Sequence, residues 1–156
     1  MSGMGKTSRR RPVAGLLGRP VYALSQLQHS LSSRLERELA ADGLSLRTHQ
    51  VLACVDDYGG GSQQQVSNSL EVDRSEMVRI IDRLEEAGML QREPDPADRR
   101  RHRLRLTPVG RRALRRGEKV IESVTEEALS RLSESERDTL HALALRALGQ
   151  PAEEPG

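Results

Sequence analysis

Arginine is the residue type whose spacing in this chain most clearly indicates a chemistry. Five arginines and two aspartates lie between Asp95 and Arg105, so this segment carries a charge of +3, whereas the 25 basic and 23 acidic residues of the whole chain nearly balance. A local cluster of guanidinium groups attracts phosphate, because attraction to DNA depends on where charge lies. A solvated charged loop is the alternative. The candidate phosphate-binding residues are Arg99, Arg100 and Arg101.

A second set of polar side chains, earlier in the chain, could read the edges of DNA bases. Projection at 100° per residue places the apolar and polar residues that follow Asp73 on opposite faces of a helix. The apolar face comprises Met77, Ile80, Ile81, Leu84 and Ala87. The exposed first half presents Arg74, Ser75 and Arg79; arginine can bond guanine bidentately, and serine can bond a base or a phosphate. Acidic residues share this polar face, so an ordinary ion-paired amphipathic helix is the alternative.

Two capped helix starts would position these side chains. Ser62 with Gln65, and Asp73 with Glu76, have the spacing of a capping box, which satisfies backbone N–H groups at a helix start. Two short helices with a tight connection are the arrangement of a helix-turn-helix. Gln64 and Gln65, at the start of the first of these helices, join the candidate DNA-binding residues.

A β-hairpin is predicted directly after the second helix. Gly88 can end that helix in a left-handed conformation, residues 89–93 form a short strand, and residues 94–98 have turn chemistry. Residues 102–106 alternate polar and apolar, the period of a half-buried strand. A hairpin after a helix-turn-helix is the order of a winged helix, and its arginine tip could reach phosphates or a narrow minor groove.

Longer amphipathic helices flank this unit. Apolar residues recur at helical spacing in residues 20–43 and again in two helices within residues 108–149. These helices carry more apolar surface than a winged helix of this size needs, so we expect them to form a dimerisation region with a second copy. The predicted DNA-binding domain spans residues 44–107, with the recognition helix near 74–87 and the wing near 89–106.

The predicted fold class is therefore mainly α (α+β), a winged helix-turn-helix with a small β-hairpin wing and N- and C-terminal dimerisation helices. Residues 1–19 are basic and lack apolar periodicity, which is typical of a disordered arm. Residues 150–156 are predicted to be a disordered tail.

The composition and the motifs argue against several other classes of protein. The chain has two tyrosines and no Phe or Trp, whereas single-strand and RNA binders stack bases on aromatic side chains. No apolar run approaches the length of a membrane span, and no signal peptide is evident, so we expect a cytoplasmic protein without a membrane partner. The histidines lack metal-ligand spacing, and no nucleophile elbow or P-loop is present. We therefore expect no metal, no cofactor and no enzymatic activity.

Two alternatives to DNA recognition have a basis in the residues. A helical protein-interaction module could use the basic hairpin to bind an acidic partner. Cys54, the single cysteine, could make the protein a redox-sensing regulator. It lies among Val51, Leu52 and Val55, however, and this setting favours a buried and inert thiol.

The predicted winged helix resembles that of the multiple antibiotic resistance regulators, the MarR family. The resemblance lies in Asp73-Arg74-Ser75, Ile81-Asp82-Arg83-Leu84-Glu85, Gly88-Met89-Leu90, Arg92, Asp95-Pro96, Asp98-Arg99-Arg100, Leu106-Thr107 and Gly110. It extends more loosely from Pro20 to Leu148. The resemblance implies a triangular homodimer that binds double-stranded palindromic promoter DNA, usually as a repressor. Many members release DNA when a small phenolic or other lipophilic acid binds between the dimerisation region and the DNA-binding lobe, and others respond to cysteine oxidation.

The resemblance also assigns roles to particular positions. The wing arginine two places after the aspartate enters the minor groove in the family, and here it is Arg100. The matching positions on the recognition helix are Arg74, Ser75 and Arg79. The family's common Leu-Ala pair in the preceding helix is replaced by Val66-Ser67.

The ligand cleft that the resemblance implies has three candidate residues. Tyr22 and His29 lie on the first long helix, and His49 lies on the second. A packing or surface role is the alternative for each. The first long helix lacks the cysteine of the family's peroxide sensors and the tryptophan of its urate responders, which argues against both of those effector classes.

Overall fold

A computed structural model of the chain describes residues 14–98 and 100–151. In these residues the protein is mostly helical with one antiparallel hairpin, so the predicted fold class is confirmed. The elements are α1 (Ala14–Leu17), α2 (Pro20–Leu39), a 3-10 turn (Ala40–Asp42), α3 (Leu46–Asp57), α4 (Gln63–Ser69), α5 (Arg74–Glu86), β1 (Leu90–Pro94), β2 (His102–Leu106), α6 (Pro108–Ala128) and α7 (Glu134–Ala147).

Side-chain caps determine where most of the helices begin. Ser45 caps α3, and Thr107 caps α6 with Pro108 in the first turn, where its missing N–H leaves no hydrogen bond unmade. The capping box predicted at Ser62 is reciprocal, since the serine side chain accepts from the Gln65 N–H and the Gln65 side chain accepts from the Ser62 N–H. Ser133 and Glu136 form a further reciprocal box at the start of α7. Asp73 caps α5 by accepting from two backbone N–H groups, but the predicted box with Glu76 is incomplete, because the Asp73 N–H makes no bond with the Glu76 side chain among the described residues.

The hairpin pairs β1 with β2 in antiparallel register, from Leu90 opposite Leu106 to Pro94 opposite His102. Leu104 also bridges to Gly61, where its N–H donates to the glycine carbonyl at 2.8 Å, and this bond ties β2 to the segment before α4. The base of the hairpin is anchored in the core, whereas the far end extends away from it.

The core lies where α3, α4, α5 and the hairpin base meet α2 and α6. Its fully buried side chains are Leu39, Val51, Leu52, Val55, Val66, Met77, Ile81 and Leu104. Its hydrophobic side chains are aliphatic residues and methionines, as the near absence of Phe, Tyr and Trp requires, and Thr48, His49 and Ser67 are buried beside them. The departure from the family's Leu-Ala pair in α4 is accommodated, because Val66 is buried and the Ser67 hydroxyl donates to the Val72 carbonyl at 2.9 Å.

Three local features differ from the sequence-based expectations. Residues 1–13 and 152–156 of the predicted arm and tail lie outside the described residues, but the rest of the arm contains the short helix α1. Ala87 is exposed, because α5 ends at Glu86 and no longer holds it on the apolar face. The first strand begins at Leu90 rather than at residue 89. No helix among residues 14–98 and 100–151 has the length and apolar character of a membrane span.

Candidate nucleic-acid interface

Helix α5 presents an arginine-bearing face to solvent. Arg74, Ser75 and Arg79 are exposed, whereas the apolar residues from Met77 to Leu84 face the core. The structure therefore leaves the three predicted positions accessible on the first half of the helix. Positively charged side chains on the first turns of an exposed helix are available to the floor of a DNA major groove.

The carboxylate of Asp73 fixes the start of this helix. Its Oδ1 accepts from the Ser75 N–H at 2.9 Å, from the Ser75 hydroxyl at 2.6 Å and from the Glu76 N–H at 2.9 Å. The Ser75 hydroxyl, followed by the Glu76 amide, holds the pKa of Asp73 below its usual value. Because the Ser75 hydroxyl proton points into the cap, the side chain offers DNA only its acceptor lone pairs in this arrangement.

Gln64 and Gln65, the two predicted site residues of α4, are both exposed but make different hydrogen bonds. The Gln65 Oε1 accepts from the Ser62 N–H at 2.8 Å, so this side chain completes the helix cap. The Gln64 amide nitrogen donates to Asn68 Oδ1 at 2.7 Å and leaves its own carbonyl oxygen uncommitted in the described hydrogen bonds. Gln64 is the better placed of the two to meet a nucleic acid.

The tip of the hairpin is a turn built on two aspartates. The Asp95 carboxylate accepts from the Ala97 N–H at 2.9 Å, and the Asp98 carboxylate accepts from the Arg100 N–H at 3.0 Å. Backbone bonds between Asp95 and Arg101 close the turn. Arg100 and Arg101 are exposed at this tip, and Arg99 lies outside the described residues.

The arginines of the hairpin differ in their ionic partners. Arg103 lies 3.7 Å from Asp95, Arg105 lies 3.0 Å from Glu93, and Arg101 lies 3.5 Å from Asp98. The guanidinium of Arg100 has no ion pair with any residue in the described part of the chain. Among the described wing arginines, Arg100 is therefore the one with the most charge left for an external anion.

A cavity of about 530 Å³ lies between α4, the start of α5 and the hairpin. Its lining residues are Ser62, Gln63, Gln64, Ser67, Arg74, Arg92, Arg101 and His102. The structure thus brings Gln64, Arg74 and Arg101 from three different elements to one concave, basic surface. A surface of this kind is complementary to the sugar–phosphate backbone of a duplex.

Arg92 is a residue of this cavity that the sequence-based site did not include. Its guanidinium bonds Glu85 and, at 2.8 Å, Asp82, both on α5. The alternation along β1 showed only that position 92 carries a polar residue. Its partners lie seven and ten residues earlier in the chain, whereas the ion pairs that can be predicted along a helix join residues three or four positions apart. The sequence alone therefore did not indicate this contact.

The three candidate ligand residues are not in equivalent environments. Tyr22 and His29 are exposed on α2, whereas His49 is 6% exposed and packs its ring against the backbone of α6 at Gly117. The Nε2 atom of His49 is buried without a hydrogen-bond partner among the described residues. Burial lowers the pKa of His49, although the Leu114 carbonyl and Glu118 oppose that shift. His49 is therefore held neutral in the folded chain at neutral pH.

Cys54 is half-buried beside the core rather than fully buried as expected, because it lies at the edge of the buried face of α3. Burial and the nearby Asp57 raise the pKa of its thiol, and a hydrogen bond with Ser69 only partly offsets this shift. A thiol with a raised pKa forms less of the thiolate that reacts with oxidants. The described residues also contain no cluster of His, Cys, Asp and Glu that could hold a metal ion.

Known proteins with similar sequences are transcription regulators. The MarR family model matches residues 44–102. A candidate transcriptional regulatory protein for the hcr operon of Thauera aromatica is 35% identical over 114 residues, covering 73% of this chain and 69% of that protein. The regulator PecS of Dickeya dadantii is 32% identical over 129 residues, covering 79% of this chain and 76% of that protein.

Solved structures of the repressor CouR have the same fold. CouR bound to a 23-mer DNA duplex is 27% identical, with a TM-score of 0.79 over 88% of this chain and 98% of that chain. CouR from Rhodococcus jostii RHA1 bound to p-coumaroyl-CoA is 26% identical, with a TM-score of 0.68 over 82% of this chain and 94% of that chain.

Proposed function

Since the chain belongs to the MarR family of transcription regulators, we propose that it represses transcription as a homodimer bound to a palindromic promoter site. A DNA-binding regulator of this family is not an enzyme, so the residues of the site bind rather than catalyse. The reading surface in this proposal comprises Gln64, Arg74, Ser75 and Arg79, with the wing arginines 99–101 on the flanking backbone. Gln65 contributes by holding the start of α4.

One observation carries the proposal. The basic cavity unites Gln64, Arg74 and Arg101 from α4, α5 and the wing on one exposed surface. A basic, concave surface beside an exposed arginine-bearing helix matches the major groove and its bordering phosphates. The CouR structure with a 23-mer duplex supports the same partner for this fold.

Exposed apolar side chains support assembly with a second copy. Val21 and Leu24 on α2, and Leu143 and Leu148 close to the chain's end, are all exposed. Helix α7 has no buried residue of its own, although four leucines lie between residues 140 and 148. A symmetric dimer would cover these side chains and place two copies of α5 about 34–36 Å apart, one turn of DNA.

A small lipophilic or phenolic effector that releases DNA is the regulatory part of the proposal. CouR binds p-coumaroyl-CoA, an aromatic acyl thioester, which supports an aromatic ligand class. Tyr22, His29 and His49 are the candidate contacts. Titration of the protein–DNA complex with aromatic acids and their thioesters, followed by anisotropy, tests this part; the proposal requires dissociation by at least one of them.

The experiment that tests the central proposal is selection of bound duplexes from a random pool, followed by salt titration. We expect an inverted-repeat sequence to be enriched, with affinity falling steeply as salt rises on both selected and random DNA. A reporter gene placed under the control of that sequence in cells tests the direction of regulation, because a repressor lowers its expression. Equal affinity for every duplex, with no enriched sequence, would contradict the proposal.

A further inference from the structure

We infer that Arg92 is a positioning residue that locks the wing to α5 and adds no charge to phosphate binding. This inference rests on the DNA-binding function proposed above. It assigns a specific task in DNA recognition to the ion-paired cluster of Arg92, Asp82 and Glu85, which is called the clamp below.

The geometry of the clamp restrains β1 in several directions at once. The Arg92 Nη2 atom bonds Asp82 Oδ1 at 2.8 Å, its Nη1 atom bonds Glu85 Oε2, and its backbone N–H donates to Glu85 Oε1 at 3.1 Å. Asp82 and Glu85 are three residues apart, so they lie on one side of α5. Hydrogen bonds from both Nη atoms of a planar guanidinium and from the backbone N–H fix both the position and the rotation of the strand.

The charge of the clamp argues against a direct role in binding phosphate. Two carboxylates face one guanidinium, so the cluster is net negative. The Arg92 side chain is also two-thirds buried, with an exposed fraction of 32%. A cation that is already paired twice has little to gain from a phosphate, because it would first have to leave its carboxylates.

The other arginines of the hairpin divide in the same way. Arg103 and Arg105, on β2, pair with carboxylates of the same hairpin, whereas the Arg100 guanidinium at the tip has no ion pair in the described part of the chain. Arg101, also at the tip, pairs with Asp98 at 3.5 Å. Of the described hairpin arginines, Arg100 therefore keeps the most charge available to DNA, and the paired arginines hold the hairpin in place.

A small rotation at the base of the hairpin becomes a larger displacement at its tip. The hairpin is two strands of five residues, and at about 3.3 Å per residue its tip lies about 15 Å from its base. A rotation of about 10° at the base would move the tip by about 3 Å, which is the length of a hydrogen bond. A wing that is free to rotate would lose affinity by having to be ordered on binding.

The test compares wild type with Arg92→Gln, Asp82→Asn and the double variant, by fluorescence anisotropy on selected and random duplexes at several salt concentrations. We expect Arg92→Gln to weaken binding to the selected duplex about tenfold without changing the slope of log affinity against log salt. Asp82→Asn should also weaken binding to the selected duplex, because it breaks the clamp. Removal of a negative charge near DNA would by itself have the opposite effect and strengthen binding. The double variant should bind no more weakly than Arg92→Gln, because both changes break one cluster.

Arg116→Gln is the control, because it removes an ion pair to Asp42 that joins α6 to the 3-10 turn after α2 and involves neither α5 nor the hairpin. We expect it to bind DNA as wild type does, and thermal melts of all variants report any loss of folding. A wild-type affinity for Arg92→Gln, a salt slope reduced by about 0.9, or tighter binding by Asp82→Asn would each overturn the inference. Wild type without any sequence preference would instead refute the proposed function.

Discussion

At the scale of single residues, the guanidinium groups of this chain have two kinds of surroundings. Arg92, Arg103 and Arg105 are paired with carboxylates, whereas Arg79 on α5 and Arg100 at the tip have no ion pair within the described residues. Net attraction to phosphate comes from cations whose charge is not already neutralised. The arginines of the hairpin look equivalent in the sequence, but in the folded chain only some of them keep a positive charge that no carboxylate neutralises.

Arg79→Ala should weaken binding to the selected duplex by about 1–3 kcal/mol and relax the base preference at one position of each half-site, since a bidentate contact to a base would be lost. Binding of the selected duplex and of its single-base variants measures both effects. Arg83→Ala is the control on the same helix, since Arg83 lies at the flank of the exposed face. An equal loss of affinity for all duplexes would assign Arg79 to the backbone instead.

Arg100→Gln should weaken binding to all duplexes and lower the salt slope by about 0.9, because one phosphate-directed cation would be removed. Only a narrow minor groove at the site would add sequence dependence to the loss. Arg105→Gln provides the comparison, since its charge is neutralised by Glu93 at 3.0 Å. An identical salt slope for Arg100→Gln and wild type would show that the tip makes no ionic contact.

His49 should make the folded chain less stable in mild acid. Burial lowers its pKa below the ordinary value of 6.5, so the native state stays neutral while the unfolded chain takes up a proton. The free energy of unfolding therefore falls as pH decreases below 6.5, by at most about 1.4 kcal/mol per pH unit from this group, until the native pKa is passed. Urea unfolding between pH 7 and 5 should show a shallower pH dependence for His49→Leu than for the wild type.

At the scale of elements, the junction between β1 and α6 determines how the wing joins the rest of the chain. The Thr107 hydroxyl donates to the Gly88 carbonyl at 2.6 Å and also accepts from the Gly110 N–H, so one side chain caps α6 and holds the end of the α5–β1 turn. Gly88 has a φ of +66°, which ends α5 as predicted. The first turn of α6 therefore packs directly on the backbone of the wing's base.

Gly110→Ala should destabilise the protein by about 1–3 kcal/mol or more, because a Cβ at this position would lie 2.0 Å from the Met89 carbonyl oxygen. The obstacle is backbone, so no side-chain rotation can relieve it. Urea unfolding measures the loss. Gly15→Ala in α1 is the control, since no atom of the described residues lies within 4 Å of a Cβ at this position. Equal stability of the two variants would mean that the junction is looser than the structure indicates.

At the scale of the whole molecule, the apolar surface is distributed unevenly. Val21 is 65% exposed and Leu148 is 75% exposed, and both belong to the elements at the two ends of the chain. The DNA-binding lobe, in contrast, buries its aliphatic residues in a continuous core. Large exposed apolar side chains are characteristic of interaction sites, so they support the proposed dimer, which would cover them.

Replacement of Leu24 and Leu148 by glutamate should convert the protein to a monomer at micromolar concentration, because buried carboxylates would have no partner in the dimer. Analytical ultracentrifugation measures this change. DNA affinity should fall more than a hundredfold, since two half-sites would no longer be bound by one particle. Tyr58→Glu, at an exposed position outside the proposed dimerisation helices, should remain dimeric; a wild-type monomer would contradict the dimer itself.

Much of the fold follows from local rules that the sequence states directly. The caps at Ser62 and Asp73, the left-handed Gly88 and the alternation along β2 each depend on residues a few positions apart, and each is present as predicted. The order of these signals was sufficient to predict a winged helix. Its membership of the MarR family agrees with that prediction.

Only the tertiary structure decided which charges are available to DNA. The sequence showed the arginines of the hairpin as one cluster, but ion pairs to Asp82, Glu85, Glu93 and Asp95 form between residues that folding brings together from the helix and both strands. The role of Gly110 was equally hidden, because its contact with Met89 spans the whole hairpin. Periodicity and capping are local and can be read along the chain, whereas neutralisation of charge and close packing depend on distances that exist only in the folded protein.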